Sequence, residues 1–301
     1  MIQDIYPHIY RNEYKPKAPQ KESFLLIYKG REALLKESEE ICFPTFGEME
    51  LYDSALCEKC TYLFSVDNQS FYLAEDFYGD IEGYCWKDAE MFRRLKPQHL
   101  AFAGITGCQL HRWYQSHKFC GRCGRKMVKD DRERMLKCEH CGQMEYPKIS
   151  PAVIVGVTDG NRLLMSKYAG REYKKYALIA GYAEIGETIE ETVKREVMEE
   201  VGLKVKNIRF YKSQPWSFTD TLLLGFFADL DGEDKITLDK EELALAEWFE
   251  REDIPITERN ISLTNEMILY FKEKKNMSTI FDYVLKIFYD MHRFPGAYFS
   301  I

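Results

Sequence analysis

The chain has 301 residues, enough for two domains that each bury a core, and its 45% hydrophobic and 30% charged residues are ordinary for a globular protein. A net charge of −7 gives no support to a protein that coats nucleic acid or a membrane surface, although local basic patches are compatible with it. No apolar run reaches the roughly 18 to 20 residues of a membrane helix, and the first seven residues lack the basic and apolar regions of a signal peptide, so we expect a cytoplasmic protein without a membrane partner.

The first part of the chain alternates short apolar stretches with polar turns, as at residues 23–28 and 62–66. This pattern predicts a small mixed or mostly β domain. From about Ala89 to His117 the composition favours helix. We assign residues 1–115 to this N-terminal domain.

Two pairs of cysteines follow, Cys120 with Cys123 and Cys138 with Cys141, and fourteen residues separate the pairs. This spacing predicts a ribbon that brings both thiolate pairs onto one tetrahedral Zn²⁺. Four thiolates leave no open position for water, so the zinc is expected to be structural. We assign residues 116–145 to this zinc ribbon.

Nine cysteines without an export signal favour a reducing compartment over a disulfide framework. Free cysteine often behaves as a small buried hydrophobe. We therefore interpret the five cysteines outside the ribbon as structural or incidental, namely Cys42, Cys57, Cys60, Cys85 and Cys108.

Beyond the ribbon, apolar runs and helical patterns alternate, which predicts an α/β (α+β) domain with helices on both faces of a mixed sheet, over residues 146–275. The predicted strands are 152–157, 162–166, 176–180, 208–212, 221–227 and 245–249. Two further helices are predicted at residues 262–274 and 278–292, the second within a C-terminal helical extension, residues 276–301.

The segment from Gly181 to Leu203 carries the most specific pattern in the chain, G-x5-E-x7-R-E-V-x-E-E-x-G-L. In a helix, Glu196, Glu199 and Glu200 fall at i, i+3 and i+4 and project from one face. Their like charges repel, and a hard cation such as Mg²⁺ would turn that repulsion into binding.

The rest of this segment fits a helix packed on a sheet. Val193, Val197 and Val201 recur at four-residue intervals on another face, so they can pack on the sheet while the acids look outward. Gly202 ends the helix, Glu187 precedes it, and Arg195 is placed to pair with one carboxylate and fix its orientation.

A solvated acidic helix is the alternative interpretation of such a charge run. Nine specified positions in a 23-residue window favour a site instead. The segment resembles the Nudix box, the loop-helix-loop signature of enzymes that hydrolyse nucleoside diphosphates linked to another group, and it meets every specified position of that pattern.

A second segment, residues 213–221, resembles the S-Q-P-W-P-F-P-x-S motif of the NADH pyrophosphatase (NudC-like) branch of the Nudix superfamily. It departs from the motif at Ser217 and Thr219, where that family has proline, and at Thr221, where it has serine. Loss of two fixed φ angles is expected to loosen the loop. The alternative interpretation of Trp216 and Phe218 is an aromatic plug in a core.

The resemblance, which extends from about Trp113 to about Ser262, implies specific roles for individual residues. It implies a catalytic group of Glu200, Glu199, Glu196, Arg195 and Glu187. It implies Mg²⁺ or Mn²⁺ bound by Glu196, Glu200, Glu242 and the backbone of Ala180. It implies base stacking by Tyr182 and by Tyr146, which would reach the partner subunit of a homodimer. The implied substrate pocket consists of Gln214, Pro215, Trp216, Ser217, Phe218, Thr219, Asp220 and Thr221, with Thr264 where the family has alanine.

The same resemblance implies hydrolysis of NADH or NAD to reduced or oxidised nicotinamide mononucleotide and AMP, with NAD-capped RNA as a further substrate. Cations held by the carboxylates would lower the pKa of a bound water. Glu200, with Glu199 next, is our candidate for the combined role of ligand and base. Two alternatives remain open: a Nudix hydrolase for ADP-ribose or another nucleoside diphosphate derivative, and a non-catalytic zinc-ribbon protein that binds nucleic acid or senses nucleotides.

Overall fold

The structure is a computed structural model that describes residues 1–52, 59–74, 77, 79–170, 175–256 and 258–273. Cys57, the predicted helix at residues 278–292 and the extension 276–301 lie outside the described residues. Within the described part of the chain, no helix combines the length and the apolar character needed to cross a membrane.

The N-terminal region is built on a six-stranded mixed sheet, which confirms the mixed or mostly β prediction. Its strand order is β1-β4-β5-β2-β3-β6, with β2 and β5 parallel and the other pairs antiparallel. A short helix α1, Phe46–Met49, precedes β4. The strands are β1 Tyr10–Arg11, β2 Phe24–Lys29, β3 Glu32–Lys36, β4 Cys60–Val66, β5 Gln69–Ala74 and β6 Tyr84–Asp88.

A long helix, α2, Gln98–Ser116, packs on this sheet. The helical composition predicted from Ala89 to His117 divides into a short 3-10 helix, Ala89–Arg93, and α2, because Pro97 has no N–H to continue a helix and stands at the N-cap of α2. Close packing needs glycine on α2. A Cβ on Gly107 would lie 2.3 Å from Cδ1 of Leu26.

The cysteine-rich segment forms a three-stranded antiparallel sheet in the order β7-β8-β9, with β7 Val128–Lys129, β8 Leu136–Lys137 and β9 Met144–Glu145. Gly124 and Gly142 follow the two knuckles with φ values of 70° and 75°, a region that favours glycine. Their N–H groups donate to the carbonyls of Cys120 and Cys138, which closes each knuckle.

The second large sheet has the order β13-β14-β10-β11-β15, and β12 also pairs with β10. β10 and β14 are parallel, whereas the other pairs are antiparallel. The elements are β10 Ser150–Asp159, β11 Arg162–Tyr168, β12 Ile179–Tyr182, α3 Ile189–Val201, β13 Val205–Trp216, β14 Thr221–Leu230, β15 Leu243–Glu250 and α4 Leu263–Glu273.

Alternating side chains of this sheet form two separate cores. Val153, Val155 and Val157 of β10 pack with Val193, Val197 and Val201 of α3. On the opposite face, Ile154 and Phe227 pack with Leu263, Met267 and Ile268 of α4. The period of two along a strand therefore separates α3 from α4, which confirms the α/β/α sandwich.

Each predicted strand corresponds to an observed one, and two of them differ most in their bounds. The strand predicted at 176–180 begins only at Ile179, and Ala177 makes an isolated bridge with Ser166. The strand predicted at 208–212 extends over Val205–Trp216, because Ser213 to Trp216 continue the ladder with β14. Most of the segment predicted as a loop therefore belongs to the sheet, and the turn is confined to residues 217–220.

Candidate active site

Helix α3 has well-defined ends. Thr188 forms a capping box: its hydroxyl accepts the Glu191 N–H at 3.2 Å, and the Glu191 carboxylate accepts the Thr188 N–H at 2.8 Å. Gly202 ends the helix with φ 69°, in the left-handed region. The caps fix where the helix begins and ends.

The acidic residues of α3 do not share one exposed face. The side chain of Glu199 is 58% exposed and that of Glu196 is 11% exposed, whereas Glu200 as a whole residue is 2% exposed. The prediction that the acids look outward is therefore wrong for Glu196 and Glu200. These two, at i and i+4, lie one turn apart on the side of α3 that strand β12 covers, next to the buried valines.

Glu196 lies directly against the backbone of β12. An ideal Cβ on Gly181 would be 1.9 Å from the Glu196 carboxyl carbon and 2.1 Å from both of its oxygens. Gly181 pairs with Val153 in the sheet, and its neighbour Ala180 pairs with Ile154. The glycine therefore provides the space in which this carboxylate sits.

Arg195 joins the acids of this region to one another. Its guanidinium contacts Glu187 at 2.6 and 2.9 Å, Glu196 at 2.8 Å and Glu199 at 2.9 Å. It also donates to the carbonyl oxygen of Tyr182 at 2.9 Å. We predicted a pair with one carboxylate, and the structure has three. The hydrogen bonds from Arg195 lower the pKa of Glu187 to about 2, so the Glu187 carboxylate is ionised at neutral pH.

Negative charge accumulates around Glu196. Burial raises the pKa of Glu196, Arg195 opposes this shift, and the carboxylates of Glu199 and Glu242 raise the pKa further. Glu242 lies just before β15, and its carbonyl accepts the Ala169 N–H at 2.8 Å. Two buried carboxylates with a third acid close by are a donor set that suits a hard divalent cation, and the cradle left by Gly181 holds one of them in place.

The four ribbon cysteines form a metal cluster. Their sulfur atoms lie within 4.8 Å of one another, and two of the separations, Cys120 to Cys141 and Cys123 to Cys138, are 3.5 Å. Four sulfurs at about 2.3 Å from one Zn²⁺ in a tetrahedron stand about 3.8 Å apart. The cluster therefore fits a structural zinc ion. Among the described residues, these four cysteines are the His, Cys, Asp or Glu side chains whose ligand atoms lie close enough together to hold a metal ion.

Gln214, predicted to line the substrate pocket, is fully buried. Its amide nitrogen donates to the carbonyl of Ile261 at 2.8 Å, and its amide oxygen accepts the N–H of Leu263 at 2.7 Å. The side chain thus anchors the start of α4 to strand β13. The same amide nitrogen donates to Oε1 of Gln3 at 3.1 Å, so the side chain is engaged inside the protein.

Trp216 and Phe218 pack with the N-terminal core, as the aromatic-plug alternative supposed. Their ring centroids are 4.8 Å apart, and the guanidinium of Arg93 lies 4.7 Å from the Trp216 ring and 4.0 Å from the Phe218 ring. Pro215 and Thr219 are exposed, whereas Ser217 is buried. The segment therefore divides between packing positions and surface positions.

The first residue of β14 contacts the last residue of β12. The hydroxyls of Thr221 and Tyr182 are 3.4 Å apart, and the Tyr182 side chain remains 53% exposed. Tyr146 is 55% exposed and donates to Glu133 of the ribbon at 2.7 Å. Thr264 is half-buried on α4. Tyr182 thus joins the two motifs, and Tyr146 presents its ring to solvent.

A cavity of about 720 Å³ lies beside Thr221, between α2, residues 147–149 and the β13–β14 hairpin. Pro215, Ser217 and Asp220 line it together with Arg112, and none of the acids of α3 does. Sequence reasoning missed Arg112. It lies about a hundred positions before the motif that it contacts, in a helix with no motif of its own, so only the tertiary structure brings the two together.

The sheet with its two helices and the acids of α3 are the features of a Nudix domain, and the four cysteines before it are those of a zinc ribbon. Residues 148–267 match the NUDIX domain family, and residues 115–146 match the NADH pyrophosphatase zinc ribbon domain. The chain therefore contains a Nudix domain preceded by a zinc ribbon of the NADH pyrophosphatase type.

Its relatives include proteins named NAD-capped RNA hydrolase NudC. The protein of an Enterobacter species is 43% identical over 150 residues, which are 50% of this chain and 58% of the relative. The protein of Pectobacterium atrosepticum is 42% identical over 170 residues, which are 56% of this chain and 65% of the relative. The match thus spans about three fifths of these relatives. A Nudix hydrolase structure from Nitrosomonas europaea aligns with a TM-score of 0.45 at 24% identity, over 52% of this chain and 92% of that one.

Proposed function

We propose that the protein is a metal-dependent pyrophosphatase that hydrolyses NADH or NAD to reduced or oxidised nicotinamide mononucleotide and AMP. The observation that carries this proposal is the pair of buried carboxylates, Glu196 and Glu200, one turn apart on α3, with Glu196 against the backbone of Gly181. The ribbon of the NADH pyrophosphatase type supports the choice of dinucleotide.

Glu196 and Glu200 would hold Mg²⁺ or Mn²⁺, with Glu242 and the backbone of Ala180 completing the site. When bound, the cation would neutralise the pyrophosphate and lower the pKa of a water. Glu200 is the better base candidate, because its carboxylate is buried in the site whereas Glu199 points to solvent and pairs with Arg195. Arg195 and Glu187 would hold Glu196 in its orientation.

Two exposed tyrosines support binding of the dinucleotide rings. Tyr182 would stack on one base, with its ring held beside Thr221, and Tyr146 would approach from a partner subunit. Because the relatives are named as hydrolases of NAD-capped RNA, we include such 5′ ends among the proposed substrates. Of the predicted pocket residues, Pro215, Ser217, Asp220 and Thr221 line a cavity.

A homodimer is part of the proposal. Large apolar side chains are exposed at the end of the ribbon and just after it, including Met144, Tyr146 and Ile149, and burial of such a patch would stabilise association. We also retain the division into residues 1–115, 116–145, 146–275 and 276–301. A reducing, cytoplasmic location is proposed because the ribbon needs four reduced thiols to bind zinc.

The test compares AMP release from NADH, NAD, NAD-capped RNA and ADP-ribose, with Mg²⁺ or Mn²⁺, and resolves products by mass. We expect NADH to be cleaved with the highest kcat/KM among the small dinucleotides. A clear preference for ADP-ribose would replace the proposal with the second Nudix activity. No hydrolysis of any substrate would favour a non-catalytic nucleotide-binding protein.

Glu200→Gln is the matching variant, because it keeps the shape of the side chain and removes its charge. We expect kcat to fall by about a thousandfold or more, since both metal binding and proton removal are lost. Lys194→Gln, an exposed change on the same helix, is the control and should keep wild-type activity. Full activity of Glu200→Gln would contradict the assigned role.

A further inference from the structure

One side chain from outside the Nudix domain holds the turn between β13 and β14. Arg112 of α2 donates from Nη2 to the carbonyl oxygen of Ser217 at 2.6 Å, and it forms an ion pair with Asp220. Its other terminal nitrogen, Nη1, lies 3.2 Å from Sγ of the buried Cys108, one turn earlier on the helix. The guanidinium of Arg112 therefore contacts three groups: the Ser217 carbonyl, the Asp220 carboxylate and the Cys108 sulfur.

The turn has few hydrogen bonds of its own. Its four residues, 217–220, make one backbone hydrogen bond back to the strand, from the Thr219 N–H to the Trp216 carbonyl at 3.2 Å. The Thr221 hydroxyl, just past the turn, donates to the Thr219 carbonyl at 3.0 Å and lies 2.8 Å from the Thr219 hydroxyl. Asp220 has φ 57°, a conformation that few residues other than glycine, asparagine and aspartate adopt readily. Arg112 contacts the first and last residues of the turn and so fixes both of its ends.

The turn that Arg112 contacts is next to the proposed substrate site. Thr221, next to Asp220, carries the hydroxyl that lies 3.4 Å from the hydroxyl of Tyr182. The carbonyl of Asp220 accepts the N–H of Ser150, at the start of β10. A shift of the turn would therefore move the support of Tyr182 while leaving the acids of α3 in place.

We propose that Arg112 is a positioning residue, which sets the β13–β14 turn and, through Thr221, the Tyr182 ring for substrate binding. This inference rests on the proposed dinucleotide hydrolysis. Arg112 acts at a distance from Glu196 and Glu200, so its loss should weaken substrate binding more than the chemical step. The fork of the guanidinium matters because Nη2 meets the Ser217 carbonyl and the Asp220 carboxylate while Nη1 contacts Cys108, so both branches are held in one orientation.

The experiment compares Arg112→Gln, Arg112→Lys, Asp220→Asn and the double variant Arg112→Gln/Asp220→Asn in the full chain with zinc bound. We expect Arg112→Gln to raise KM for NADH on the order of tenfold with kcat within about threefold. Arg112→Lys should recover part of the loss, since it retains the charge without the fork. The double variant should be no worse than Arg112→Gln, since the two residues act on one turn.

The control is Arg209→Gln, which breaks an Arg–Asp pair with Asp229 toward the other end of the same two strands and should leave KM unchanged. Hydrogen exchange supplies a readout that does not depend on activity. Amides of residues 217–222 and of Ser150 should exchange faster in Arg112→Gln, and those of α3 should not. An unchanged KM together with unchanged exchange would overturn the inference. So would a fall in kcat as large as the rise in KM, accompanied by a lower melting temperature, because that would indicate a general structural defect. If the wild type cleaves no NADH, the proposed function fails, while exchange still decides whether Arg112 holds the turn.

Discussion

The carboxylate of Glu196 occupies the space where a side chain on Gly181 would begin, with 1.9 Å between the glycine's ideal Cβ and the carboxyl carbon. Such a distance is well inside van der Waals contact, so either the helix or the carboxylate must move if a Cβ is present. The glycine of the motif therefore has a steric role that is specific to one acid.

Gly181→Ala should displace Glu196 and reduce kcat/KM for NADH by about a hundredfold or more, because a metal ligand or its orientation is lost. The variant should still fold, since β12 keeps its backbone pairing with β10. Steady-state kinetics and circular dichroism make the comparison. Gly121→Ala is the control, because its Cβ would meet nothing within 4 Å, and an equal loss there would argue against the steric explanation.

The zinc cluster should be required for the fold of the ribbon. Cys138 is fully buried and its sulfur lies 3.5 Å from that of Cys123, so Cys138→Ser removes one of the four ligands. We expect less than one zinc per chain by atomic emission, and a lower melting temperature. Cys85→Ser, outside the cluster, should retain one zinc per chain. Full zinc content in Cys138→Ser would contradict the four-thiolate assignment.

The cap of α3 should contribute measurably to stability. Thr188→Ala removes the hydroxyl that accepts the Glu191 N–H, and the expected loss in the free energy of unfolding is about 1 kcal/mol. Urea denaturation followed by tryptophan fluorescence measures it. Lys194→Ala, at an exposed position of the same helix, should change stability by less than about 0.5 kcal/mol. Equal effects of the two variants would show that the capping box is not what stabilises the helix start.

Stability should depend on pH through Asp229. The contact with Arg209, at 2.6 and 2.9 Å, lowers the pKa of Asp229 in the folded chain below its unfolded value of about 3.9. The folded state therefore holds fewer protons than the unfolded state in this range. The contribution of Asp229 is complete above the unfolded pKa and is lost as pH falls through the folded pKa.

The Asp229→Asn variant should accordingly melt at a lower temperature than the wild type at pH 7. The difference between the two melting temperatures should become smaller below about pH 4. Release of zinc in acid should affect the wild type and the variant alike, so the difference between their melting temperatures is the quantity to compare. Asp231→Asn, which removes an exposed contact with Lys206 at 2.8 Å, should give a smaller gap. A gap that is constant from pH 7 to pH 3 would rule out this linkage.

Much of the site could be predicted from local sequence. The cysteine spacing predicted a zinc site because ligand geometry restricts the loop between two thiolates. The interval of Val193, Val197 and Val201 predicted the buried face of α3, which the structure confirms. The same periodicity failed for Glu196 and Glu200, because helical spacing gives the direction of a side chain and not what another strand places in front of it.

The second motif shows the same division. Gln214 and Trp216 were recognisable as motif residues, yet their contacts with Ile261 and Arg93 join positions far apart in the chain. Composition alone suggested one helical region from Ala89 to His117. The interruption at Pro97 follows from the residue type, because proline has no backbone N–H to continue a helix.

By itself, the sequence determined the elements whose cause is local: helix caps, the glycines of the zinc knuckles, the alternation of β10 and the spacing of acids along α3. The tertiary structure alone decided which acids are buried, that Gly181 makes room for Glu196, and that Arg112 reaches the turn at Asp220. The reason is physical, since hydrogen bonding and side-chain periodicity act over a few residues, whereas burial and contact geometry arise only when separate elements pack together.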